Sequence, residues 1–202
     1  MPATIDYYVS LNSPWTHLGA ARIEAIAARH GGTLRIHPVD FGQVIFPASG
    51  GLPLPKRSPQ RQAYRMQELR RWRDHLGVPI TLAPKHFPFT EPFAAACVVA
   101  ARETAGQGPA IALAHRILKA LWEQEQDPGD RATLARLVGE VGLDAAALMQ
   151  LAEDPRWADL RRTEAEAALA RGVFGAPSYV IGDEIFWGQD RLDFVGRHLE
   201  AG

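Results

Sequence analysis

The sequence predicts an α/β fold in which a βαβ half and a ββα half share one sheet, with a large all-α insertion between the halves. Three observations carry this. The stretches "TIDYYVSL" from Thr4 and "TLRIHPVD" from Thr33 have strand chemistry and flank the helical text "SPWTHLGAARIEAIAARH". From Gln60 to about Gly172 nearly everything has helical spacing. From Val173, "VFGAPSYVIGDEIFWGQDRL" returns to β-branched and aromatic text broken by a tight turn. The expected division is residues 1–59 and 173–202 for the sheet domain and 60–172 for the inserted helical domain.

In chain order, Thr4 opens a β-branched, aromatic strand, and Ser13 with Pro14 then starts a helix: a serine at the N-cap, a proline at the first helical position. Leu18, Ala21, Ile23, Ile26 and Ala27 give that helix an apolar side, and Gly31-Gly32 stops it after about His30. The second strand then lies parallel to the first through a right-handed crossover. "FGQVIFPASGGLPLPKRSP", Phe41 to Pro59, is too rich in Pro and Gly for regular structure and too long for an ordinary connection, so it is expected to be a loop that walls a site. The helical block should hold about five helices, interrupted at Gly77-Val78-Pro79, at "LAPKHFPFTEP" and at Asp127-Pro128-Gly129-Asp130. In its first helix Tyr64, Leu69, Trp72 and Leu76 fall near one face. The last two strands turn at Gly182-Asp183, and a final helix begins near Gln189.

Composition excludes several classes of function. The 202 residues carry 22 Lys and Arg against 23 Asp and Glu, so no global field draws the chain to nucleic acid or anionic lipid. The longest apolar run, "FAAACVVAA", falls well short of the roughly 20 residues a bilayer crossing needs. With no basic leader at the N-terminus, the chain is expected to be soluble and cytoplasmic, without membrane or nucleic-acid partners. A single cysteine, Cys97, rules out an internal disulfide or dithiol cycle and reads as a small buried apolar residue. Neither it nor the seven histidines have metal-ligand spacing, so no metal is expected. No G-x-G-x-x-G follows a strand, and there is no G-x-S-x-G.

A βαβ half and a ββα half on one sheet is the thioredoxin arrangement. In its redox members a C-x-x-C motif sits at the first strand-to-helix junction, where free N–H groups and the helix dipole lower a thiol pKa. Here Ser13 and Thr16 stand at those two places. Ser13 is either only an N-cap or a hydroxyl that donates to a thiolate brought by a ligand. Ala176-Pro177, after a turn with Gly175, is either a cis bond that opens the preceding backbone to a peptide-like ligand or a trans proline that begins an edge strand. His17, one turn into the helix, is either an acid–base group or packed under the sheet edge. Asp190-Arg191 reads as an ordinary first-turn acid followed by a solvated base.

"SPWTHLGAARIEAIA" after a strand, "YRMQELRRWRDHLGVP" in the insertion and "GVFGAPSYVIGDEIFWGQDRL" near the C-terminus resemble the 2-hydroxychromene-2-carboxylate isomerases, relatives of the kappa-class glutathione transferases. The resemblance spans essentially the whole chain. It implies a glutathione-dependent isomerase of aromatic catabolism that acts by reversible thiolate addition to an aromatic keto acid, in a homodimer. It implies Ser13 as the catalytic contact to the glutathione sulfur and Ala176, before Pro177, as backbone partner of the cysteinyl part. Trp187, Gly188, Gln189 and Asp190 would hold the γ-glutamyl end, Lys56 would be a further glutathione contact, and Lys85 and His86 would meet the substrate. The other basic residues between Lys56 and Arg73, including Arg57, Arg61 and Arg65, read as a solvated face. The alternatives are a kappa-like transferase or peroxidase, which would share the thiol site and differ in the second pocket, and a non-catalytic protein that binds glutathione or a small acid.

Overall fold

A computed structural model describes residues 2–201. Strand β1 (Thr4–Tyr8), helix α1 (Pro14–Arg29) and strand β2 (Thr33–His37) form the opening βαβ unit; strands β3 (Ser178–Ile181) and β4 (Glu184–Trp187) and helix α9 (Leu192–Ala201) close the chain. The sheet runs β2-β1-β3-β4. β1 pairs parallel to β2, with Ile5 opposite Leu34, and antiparallel to β3, with Tyr7 opposite Tyr179. β3 pairs antiparallel to β4. The thioredoxin-like topology predicted from the sequence is therefore present, with its helical insertion between β2 and β3.

Three expectations need correction. Phe41–Pro59 is not an irregular loop: it holds a π-helical turn over Phe41–Ile45, the short helix α2 (Phe46–Ser49) and a 3-10 turn over Leu54–Lys56. Asp40 caps the first turn by accepting from the Gln43 N–H at 2.9 Å, and Phe41 and Ile45 are buried with Ala165 and Ala168, an anchor the Pro/Gly count does not reveal. Six helices rather than about five follow, α3 (Pro59–Leu76), α4 (Pro92–Ala105), α5 (Gln107–Gln124), α6 (Arg131–Glu140), α7 (Ala145–Leu151) and α8 (Arg156–Ala170). Asp154 sets α8 apart from α7 by accepting from the Arg156 N–H. The final helix also begins later than expected, because Gln189–Arg191 forms a 3-10 turn first.

One core joins the two halves. Ile5, Tyr7, Ile23 and Tyr179 of the sheet half are buried in one cluster with Leu69, Val98, Leu113 and Trp122 of the insertion. Burial of this kind supplies about 1.5–3 kcal/mol per large side chain, so insertion and sheet stabilise each other. No helix is long and apolar enough to cross a membrane among the described residues.

A buried polar network ties the sheet to α4 and α8. Asp6 accepts from Arg35, His37 and Arg171, and Glu164 accepts from His37 and Arg102. Burial alone would raise the Asp6 pKa, but these three donors outweigh it and hold the carboxyl far below the usual range. Burial likewise opposes the charged form of His37, yet its bonds to Asp6 and Glu164 raise its pKa above 6.5. A raised histidine contributes stability below its unfolded pKa and loses it as pH climbs through the folded value. The gap in melting temperature between the wild type and His37→Gln should therefore narrow between pH 6 and pH 9. Thermal melts across that range check this, and a constant gap contradicts it.

Candidate active site

The site starts at the end of β1. Ser13 adopts extended backbone (φ −84°, ψ 119°) and caps α1 by accepting from the Thr16 N–H at 3.2 Å. Pro14 follows at the first helical position, where its missing N–H costs nothing. The Ser13 hydroxyl proton points to the Ala176 carbonyl at 3.4 Å, the long end of the hydrogen-bond range. Glu91, just before α4, holds the approach: its carboxylate accepts from the Ser10 hydroxyl at 3.0 Å, the Leu11 N–H at 3.1 Å and the Asn12 amide at 3.1 Å. Asn12 also clasps the Phe89 backbone in both directions, donating at 3.1 Å and accepting at 3.0 Å. The loop that delivers Ser13 thus hangs from the insertion.

The second wall is the start of β3. Ala176-Pro177 is cis, the first of the two alternatives the sequence allowed. Among the described residues no group accepts from the Ala176 N–H, while the Pro177 carbonyl accepts from the Gly188 N–H at 2.9 Å. Gly175 lies so close under the Trp187 indole that any Cβ there would overlap it. Gly188 has φ +102°, and a Cβ on it would run into the Asp190 carboxylate. Trp187 is held upright by Phe174, ring centres 4.6 Å apart. Gln189 is 1% exposed, and its side-chain oxygen is occupied by Arg22 at 2.8 Å. Asp190 pairs with Arg191 at 2.8 Å.

These pieces meet at a cleft of about 330 Å³. Ala176 and the turn Trp187–Arg191 line it from the sheet half, Trp15 from α1, and Tyr64, Glu68 and Trp72 from α3. Five of the residues expected to hold the cofactor, Ala176, Trp187, Gly188, Gln189 and Asp190, are brought together here, with Ser13 in contact through Ala176 and Pro177 buried beside it. The expected set omits Trp15, Tyr64, Glu68, Trp72 and Arg191. Tyr64, Glu68 and Trp72 stand four residues apart, one helix face, and that stripe was the available signal. The apolar grouping of Tyr64 with Leu69 hid it: Leu69 is 0% exposed in the core, whereas Tyr64 is 56% exposed.

The remaining expected residues lie elsewhere. Lys85 and His86 line a separate cleft of about 500 Å³ with Asp127 and Asp130, and His86 Nδ1 is 3.6 Å from Asp127. Lys56 is exposed on its 3-10 turn and lines neither cleft. His17 is buried, 3.0 Å from the Pro79 carbonyl and 3.5 Å from Glu123, and burial lowers its pKa, which is the packing alternative. Cys97 is fully buried and burial pushes its thiol up to about 12, so it offers no thiolate.

The DSBA-like thioredoxin domain model matches residues 4–200. The 2-hydroxychromene-2-carboxylate isomerase of Sphingobium xenophagum is 32% identical over 98% of this chain and 99% of its own length. That of Pseudomonas putida is 25% identical over 93% of this chain and 90% of its own. A solved 2-hydroxychromene-2-carboxylate isomerase superposes with a TM-score of 0.83 at 22% identity, covering 98% of this chain and 95% of the other. The cytosolic disulfide reductase DsbM of Pseudomonas aeruginosa, solved with GSH, superposes with a TM-score of 0.67 at 19% identity, covering 98% and 99%. With the fold, the serine-capped helix and the cis proline, these matches mean that the chain belongs to the DSBA-like thioredoxin family and, within it, to the 2-hydroxychromene-2-carboxylate isomerases.

Proposed function

We propose that this chain is a glutathione-dependent isomerase that interconverts 2-hydroxychromene-2-carboxylate and a trans-o-hydroxybenzylidenepyruvate-like acid. The observation that carries the reading is the contact of the Ser13 hydroxyl, at the N-terminus of α1, with Ala176, whose peptide N–H is open and which lines an aromatic-walled cleft. The residues present fit glutathione. The Ala176 N–H is unclaimed, Ser13 has a proton to redirect, and the Asp190 carboxylate can take an ammonium. Bound there, glutathione supplies a nucleophilic thiol for reversible addition, which gives isomerisation without net redox change.

The chain's own contribution is electrostatic. The Thr16 N–H fixes the Ser13 oxygen, so the hydroxyl hydrogen can rotate while the oxygen stays in place. Turning that hydrogen from the Ala176 carbonyl toward an anionic sulfur exchanges a long neutral hydrogen bond for a charge-assisted one. The dipole of α1 adds positive potential at the same point. Trp15, Trp72 and Trp187 line the cleft with aromatic surface suited to an aromatic acid.

The direct test is turnover. Purified protein with glutathione should interconvert the two acids, followed by their separate ultraviolet spectra, and should do nothing without the thiol. Conjugation of a generic aryl halide with no isomerisation would overturn the reading in favour of a transferase. Tight glutathione binding with neither activity would make the chain a binding protein.

A further inference from the structure

Asp190 can serve an ammonium only while the turn that carries it keeps one shape, and the turn does little to ensure this by itself. It begins at Gly188, φ +102°, a backbone region that glycine enters and leaves freely. The ion pair of Asp190 with Arg191, at 2.8 Å, lies inside the turn and ties it to no other element. The outside hold comes from α1. Arg22 Nη1 donates twice to Gln189, to the backbone carbonyl at 3.1 Å and to the side-chain oxygen at 2.8 Å. Its Nη2 donates to Asp193, in the first turn of α9, at 3.3 Å. One guanidinium thus bridges α1, the turn and α9. Three residues earlier on the same helix face, Gly19 leaves no room for a side chain. A Cβ there would lie 2.8 Å from the Tyr179 hydroxyl and 3.0 Å from the Gln189 Cβ, so α1 seats directly on the turn.

Gln189 is 1% exposed, and among the described residues Arg22 is the one donor to its side-chain oxygen. Without Arg22 that oxygen is buried and unpaired, and the Gln189 carbonyl keeps only the Leu192 N–H, from the end of the same turn. Gln189 would then shift to find a partner, with Gly188 as the pivot and Asp190 carried along. Arg22 does not line the cleft, whereas Gly188, Gln189 and Asp190 do. We propose that Arg22 is a positioning residue: through Gln189 it fixes where Asp190 meets the ammonium of a γ-glutamyl thiol, and so sets a preference for glutathione over thiols that lack this end. The role rests on the glutathione reading above.

Calorimetric titration of the full chain with glutathione and with N-acetylcysteinylglycine, which keeps the thiol and the peptide but lacks the amino-acid end, tests it. The wild type should bind glutathione about tenfold or more tightly, the scale of a hydrogen bond to a charged group. Arg22→Met should lose most of this preference by weakening glutathione alone. Arg22→Lys should keep part of it, because an ammonium still offers donors to Gln189. In turnover, Arg22→Met should raise KM for glutathione about tenfold with a smaller change in kcat. It should also add little to the loss in Asp190→Asn, since both changes remove the same contact. Equal weakening of both thiols by Arg22→Met, or a loss that adds fully to that of Asp190→Asn, would show a merely structural role and overturns the proposal. A wild type that prefers glutathione together with an Arg22→Met variant that prefers it as strongly overturns the proposal alone. A wild type that binds neither thiol, or both alike, overturns the glutathione reading and the role of Arg22 with it.

Discussion

Ser13→Gly is expected to stay close to wild-type stability and to lose roughly 100-fold in kcat, the usual loss when one donor to a developing or stabilised anion is removed. Ser13→Ala should lose the same activity and, in addition, about 1 kcal/mol of stability. The two variants separate the two roles of one side chain. As N-cap, the Ser13 oxygen accepts from the Thr16 N–H; glycine replaces serine there at a cost of only a few tenths of a kcal/mol, whereas alanine does not. In the thiolate-contact role proposed above, the hydroxyl would donate its proton, and neither variant can. For a chain of 202 residues the alanine penalty corresponds to a drop of about 2–4 °C in melting temperature. Losing a donor to an anion also raises that anion's pKa, so the acidic limb of the kcat/KM profile should move to higher pH in both variants. If Ser13→Gly turns over at the wild-type rate, the hydroxyl is a cap and nothing more.

What could be read from the sequence, and what could not, divides along the range of the physics. The serine-proline start of α1 and the Gly175-Ala176-Pro177 turn are local: each is written in two or three consecutive residues whose backbone preferences act at short range. Both were legible, as was the order of elements around the sheet. The rest of the cleft depends on how α3 docks. Periodicity groups Tyr64 with Leu69, Trp72 and Leu76, but the sequence cannot say where along that arc the core ends and the cleft begins. Arg65 was misplaced for the same reason, since its covering rings come from Phe87 and Trp122, 22 and 57 residues away along the chain. The ordered turns of Phe41–Lys56 were hidden because composition reports Pro and Gly but not the burial of Phe41 and Ile45 beside α8.

Glu91→Ala should be the most damaging single change near the site. The Glu91 side chain is 13% exposed and serves four donors: the Ser10 hydroxyl, the Leu11 N–H, the Asn12 amide and, at 3.4 Å, Arg161. Removing one partner of a buried ion pair costs about 3–5 kcal/mol. Arg161 keeps Asp40 and two backbone carbonyls, which moderates its share of that loss. A fall of about 6–20 °C in melting temperature follows for a chain of this size. Glu91→Gln keeps both the length and an acceptor, so it should melt far closer to the wild type. The catalytic effect separates a positioning residue from a merely structural one. Glu91 fixes Ser10, Leu11 and Asn12, and so fixes where Ser13 begins α1; an ångström of drift there is enough for roughly a 100-fold loss in rate. If Glu91 acts through Ser13, its removal should cost much less kcat in a Ser13→Gly background than in the wild type, because residues in one network do not add. Fully additive losses would mean that Glu91 supports the cleft by another route, and an unchanged kcat at a temperature where Glu91→Ala is folded would mean that the loop keeps its shape without it.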